Sequence, residues 1–164
     1  MAKETTQSEI NKTIKHLVDL LKNANAHVSF DDAVKDIPFE DLGKKPNNLP
    51  YSIWQIVEHI RIAQFDILDF SRNENYKERN WPADYWPKET APETEAAWQQ
   101  SLQQIDSDLT SFINFLQDPR SDIFKPFPHG TGQTLLREAL LIADHTSYHI
   151  GEIVVIRRLL GNWK

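Results

Sequence analysis

Six histidines carry most of the chemistry this chain can offer, and two of them, His145 and His149, stand four residues apart. In a helix that spacing puts both imidazoles on one face, one turn above the other. The helical repeat brings Leu135, Glu138, Ile142, Ile153, Ile156 and Leu160 within about 40° of His149, so the pair sits on an apolar stripe. A lone histidine there reads as a hydrogen-bonded core residue. Two are different: each buried imidazole needs partners for both nitrogens, unpaired polar rings are costly to bury, and one shared metal ion satisfies both. Two imidazoles hold a first-row ion weakly, and His59 is the best third ligand. It lies on the shoulder of another helical stretch's apolar arc, in a stripe with Ser52, Gln55 and Asp66. His59, His145 and His149 would form a three-histidine site with open coordination positions, the pattern of catalytic rather than structural zinc. Imidazole suits Zn, Ni, Cu and Fe alike, so the donors do not choose the ion.

What the chain lacks narrows this further. Thr146 follows His145 where a zincin HExxH motif needs its general-base glutamate, and the paired Glu-x-x-His pattern of a di-iron bundle is absent. There is no cysteine, which removes thiol nucleophiles, Cys-ligated zinc, iron–sulfur clusters and dithiol redox chemistry. The charge balance of 18 basic against 24 acidic residues is −6, without a dense Lys/Arg block, so nucleic acid is not an expected partner. No run approaches the roughly 18 apolar residues of a membrane span, and the first residues show no apolar core of a signal peptide. A cytoplasmic protein is the expectation. At 164 residues, 40% hydrophobic and 26% charged, the chain suits one globular domain spanning 1–164 that needs no staple to fold.

Four proline-free stretches, at 7–25, 51–75, 93–118 and 129–164, must position the histidines. The first has a stripe through Ile10, Ile14, Leu17, Val18 and Leu21, and Thr6 with Glu9 reads as a capping box. The second opens with Ser52 and Gln55 in the same spacing. For the third, Thr90 with Glu93 predicts a start at Thr90, with Pro92 in the first turn, before Trp98, Leu102, Ile105, Leu109, Phe112 and Leu116. The fourth is predicted from Thr134 to Leu160, stopped by Gly161. No segment alternates like a strand. The pattern predicts an all-α four-helix bundle with long connections, and periodicity leaves its topology open.

A helix reading Glu58-His59-Ile60-Arg61, a last helix with Ala143-Asp144-His145 through His149-Ile150-Gly151-Glu152, and the loop Trp81-Pro82 through Tyr85-Trp86-Pro87 resemble the DinB/YfiT-like superfamily across essentially the whole chain. The resemblance implies a four-helix bundle with a crossover, a homodimer, and a divalent metal on three histidines, which fall on His59, His145 and His149. Zn or Ni is expected, with Fe and Mn as further options. Characterised members include transferases and isomerases using low-molecular-weight thiols such as bacillithiol or mycothiol; others are described only as metal-dependent hydrolases or damage-inducible proteins. Fold and metal set transfer to this chain, whereas a reaction does not.

Thiol S-transfer to an electrophilic small-molecule substrate is the leading expectation, since a metal-bound thiol loses its proton and the scheme needs neither cysteine nor an HExxH base. Hydrolysis by an activated water and a non-catalytic, metal-stabilised bundle are the alternatives. Glu138 is the catalytic candidate, orienting a cofactor amine or accepting a proton; otherwise it is a first-turn glutamate favoured by the helix dipole. Glu58, Asp66 and Asp144 are candidate partners for the imidazoles. Gly151, costing about 1 kcal/mol in a helix interior, marks either a close approach or a packing position. Trp81, Tyr85 and Trp86 suit loop packing with some lid character, His129 a solvated loop, and His16 and His27 show no pattern.

Overall fold

In the computed structural model, which describes residues 6–23 and 26–163, the proline-free stretches become the four long helices. α1 spans Gln7–Lys22, closed by the Thr6/Glu9 capping box. α2, Phe30–Val34, is a short helix capped by Ser29 inside the long first connection, where the sequence predicted none. Its five residues are too few to show a period. α3 is Ile53–Arg72, with Ser52 and Gln55 forming the reciprocal box, and α5 is Leu135–Leu160, started by Thr134 and ended by Gly161 in the left-handed region at φ 75°.

α4 departs from expectation. It spans Glu95–Gln117 and its cap is Thr94, not Thr90. The Thr90 carbonyl is taken by the Ser52 hydroxyl at 2.6 Å, and Ala91 lies so close to Gly43 that a Cβ there would come within 2.6 Å of the alanine's own. These contacts hold residues 90–91 against the start of α3, so the helix begins one turn later.

α3 packs against both α4 and α5, and α1 against the same two. One apolar cluster joins α2, α3, α4 and the C-terminal half of α5 around Leu42, Ile53, Ile56, Ile60 and Ile153. A second joins α1, α3, α4 and the N-terminal half of α5 around Phe112, Leu116 and Leu135. The described residues hold no strand, only an isolated bridge between Pro126 and Thr134. Among the described residues, no helix is long and apolar enough to cross a membrane. The α3–α5 contact is where the histidines meet.

Candidate metal centre

His59 projects from the second turn of α3, and His145 and His149 from the middle of α5. The ring centroids are 4.8 Å apart for His59–His145 and His59–His149, and 4.5 Å for His145–His149. One donor nitrogen from each lies within 4.8 Å of the other two. His59 and His149 are buried and His145 half-buried. The polar stripe expected beside His59 is also inside: Ser52, Gln55 and Asp66 are all buried.

The outer partners settle how two of the rings face. His59 Nδ1 is 2.8 Å from the Tyr85 carbonyl oxygen, which can only accept, so Nδ1 carries the hydrogen and Nε2 the free lone pair. His149 Nδ1 is 2.6 Å from Glu152 Oε2, with the same consequence. His145 Nε2 then meets His59 Nε2 at 3.0 Å, and the hydrogen in that contact belongs to His145. An ion in place of that hydrogen would meet lone pairs from all three rings, which is the donor set a divalent metal requires.

Burial also keeps the rings neutral. It pushes His145 down to about 3, helped by the two neighbouring imidazoles, and His149 down to about 4, helped by His59. His59 is lowered by burial despite its bond to Tyr85. The His149–Glu152 contact is therefore a neutral N–H donating to a carboxylate rather than an ion pair. Neutral imidazole is the form that ligates.

Aromatic residues cover this cluster. Trp86 lies flat on His59, at 3.9 Å and 4°, and Tyr51 on the other face of Trp86, at 3.8 Å and 11°. The loop is tied down through Asp66, whose carboxylate accepts from the Tyr85 hydroxyl at 2.6 Å and the Tyr76 hydroxyl at 3.1 Å and pairs with Arg79 at 3.3 Å. Asp66 thus serves the site through Tyr85, which in turn holds His59. Of the other expected partners, Glu58 binds Arg61 and the Ser101 hydroxyl, and Asp144 is exposed. Neither touches an imidazole.

Glu138 lies outside the histidine cluster. It is 1% exposed, bonded to Arg137, and lines a separate cavity of about 580 Å³ with Asp66, Tyr76 and His129. Burial raises its pKa. His129 is not a solvated loop residue: its Nε2 bonds the Phe70 carbonyl at 2.7 Å, and its ring packs on Phe70 and Phe127. Gly151 marks no close approach, since a Cβ there would meet nothing within 4 Å. Trp81 is 71% exposed and only Trp86 of the two tryptophans reaches a ligand candidate. His16 is exposed, while His27 bonds Ser147.

Glu152 and the Tyr85 carbonyl are the participants that sequence reasoning missed. Glu152 carried a usable signal, three residues beyond His149 and on the same face. The Tyr85 carbonyl carried none, being a backbone group 26 residues from its partner.

Comparison with curated proteins and with solved structures gave no match. A family model for the DinB superfamily matches residues 23–153, a span that holds all three clustered histidines and the loop that covers them. On that match, with the helical fold behind it, this chain belongs to the DinB superfamily.

Proposed function

We propose that this protein is a metal-dependent enzyme that transfers a low-molecular-weight thiol of the bacillithiol type to an electrophilic small molecule. The observation that carries the proposal is the convergence of three neutral imidazoles, two buried and one half-buried, two of them with their outer nitrogens pinned. His59, His145 and His149 would hold a divalent ion; the imidazole donors do not choose it, and Zn or Ni is the choice that the family resemblance suggests. When bound, that ion supplies Lewis acidity, lowering the pKa of a thiol or water that reaches it.

The choice of thiol over water rests on what surrounds the triad. Among the described residues no carboxylate joins the three histidines as a fourth donor, and Glu152 is engaged by His149. A water nucleophile gains most from a positioned general base, whereas a thiol is far more acidic to begin with. With no cysteine in the chain, the sulfur must arrive on a small molecule. Tyr85 and Glu152 keep the lone pairs inward, and Trp86 with Tyr51 shields the His59 side from water. Glu138, about two helical turns from His145, is paired with Arg137 in a separate cavity and takes no part in this scheme.

The test is to load the protein with zinc or nickel and supply bacillithiol, glutathione or coenzyme A with an electrophile. Thiol-dependent consumption that disappears in His149→Ala supports the proposal. Hydrolysis independent of any thiol, or inertness with a full complement of metal, refutes it.

A further inference from the structure

A cavity of about 360 Å³ opens beside the triad, between residues 49–51, Ile56 of α3 and the second half of α5. Leu49, Pro50, Ile56 and Val155 make its walls predominantly apolar. It shares side chains with the metal centre. Glu152 on its wall bonds His149, the ring of Tyr148 lies edge-on to His149 at 5.0 Å, and Tyr51 backs the Trp86 that covers His59.

Gly151 lies on the wall of this cavity, on one stripe of α5 with Tyr148, Glu152 and Val155. Glycine inside a helix weakens it, and here no neighbour approaches closely enough to require one. What the missing side chain leaves is room in the cavity. Its volume falls in the range of small-molecule pockets. The one ionisable carboxylate on its wall, Glu152, is already engaged, so a charged occupant would find no free counter-charge there.

We propose that this cavity seats the apolar alkyl or aryl group of the electrophile, and that Gly151 keeps the seat open. The identity of the occupant rests on the thiol-transfer reading; the seat itself does not. In a maleimide, for example, the thiol sulfur bonds one alkene carbon, the carbon–carbon π bond breaks, and the thiol's proton ends on the other carbon. A cysteine-free chain does not itself compete for such a probe.

The experiment compares zinc-loaded wild type with Gly151→Leu, using the unreactive N-phenylsuccinimide and N-methylsuccinimide in tryptophan-fluorescence titrations. Wild type should bind the phenyl compound at least about tenfold more tightly than the methyl one, and the substitution should erase that preference. Metal content should stay unchanged, and the melting temperature should hold or rise, because leucine replaces a helix-interior glycine that no neighbour crowds. Equal binding of the two imides, or a phenyl preference surviving in Gly151→Leu, overturns the proposal. So does a wild-type dimer that becomes monomeric in Gly151→Leu, because a second copy would then cover the cavity. The corresponding maleimides with bacillithiol separate the two proposals. Gly151-dependent binding without thiol transfer keeps the seat and rejects the reaction. Transfer at equal rates to both maleimides does the reverse.

Discussion

Replacing Glu152 tests whether the centre is built from its outer partners inward. Its carboxylate accepts from His149 Nδ1 at 2.6 Å, a short, charge-assisted bond to a neutral ring. That bond fixes the tautomer, holds the ring plane, and makes Nε2 a stronger donor. Removing such a partner typically costs about 10–100-fold in metal affinity, or roughly 1.4–2.7 kcal/mol at 1.36 kcal/mol per decade. Glu152→Ala should weaken zinc binding by that amount. Glu152→Gln keeps an accepting oxygen but loses the charge, and should fall between it and wild type. The Glu152 side chain is 34% exposed, so neither change opens a core cavity, and stability should move by less than about 1 kcal/mol. Competition for zinc against a chromogenic chelator at neutral pH reads the affinity, and thermal melts read the fold. Zinc affinity in Glu152→Ala within about twofold of wild type, well inside the expected cost, would refute the reasoning if His149→Ala abolished binding in the same assay.

Three further outcomes follow from the same geometry. His145→Ala should lose stoichiometric metal while the metal-free variant still melts cooperatively, because two apolar clusters form the core without it; metal analysis and calorimetry check this. The metal-free protein should lose stability on acidification from about pH 6.5 towards 4. His145 and His149 titrate near 3 and near 4 when folded but at the ordinary value when unfolded, so the unfolded chain takes up protons first and stability falls with pH. A melting temperature flat across that window would contradict the burial of these rings. Nickel or copper should quench part of the tryptophan fluorescence, and Trp86→Phe should remove most of that quenching, since Trp86 alone of the tryptophans stacks on His59.

The helices were legible where one local device decides them. Thr6 with Glu9 and Ser52 with Gln55 are capping boxes in both sequence and structure, and Thr134 and Gly161 bound α5. The start of α4 was misread because two threonines four residues apart offer the same cap, and a hydroxyl 38 residues away, Ser52, decides between them. The triad followed from spacing on one helix and from the arc of another. Its outer partners divide by kind: Glu152 shares a helix face with its histidine, whereas the Tyr85 carbonyl depends on where a loop comes to rest.

That loop explains how a site assembled from two helices obtains a third wall. The helix repeat brings His145 and His149 together and the α3–α5 packing adds His59, whose Nε2 meets His145, but nothing in either helix bonds its Nδ1. Asp66 lies seven residues after His59 on α3, about two turns along, and faces the same groove. By accepting from Tyr76 and Tyr85 it anchors a segment that returns to His59 with a carbonyl for Nδ1 and an indole for the ring face. Tyr85→Phe deletes only the hydroxyl that reaches Asp66 and leaves the carbonyl in place chemically. If the anchor matters, that substitution should weaken zinc binding and the nickel quenching of Trp86 together, although no atom removed touches a ligand. Unchanged values for both would mean that the carbonyl and the stacking hold His59 without the anchor, and that Asp66 serves only the loop.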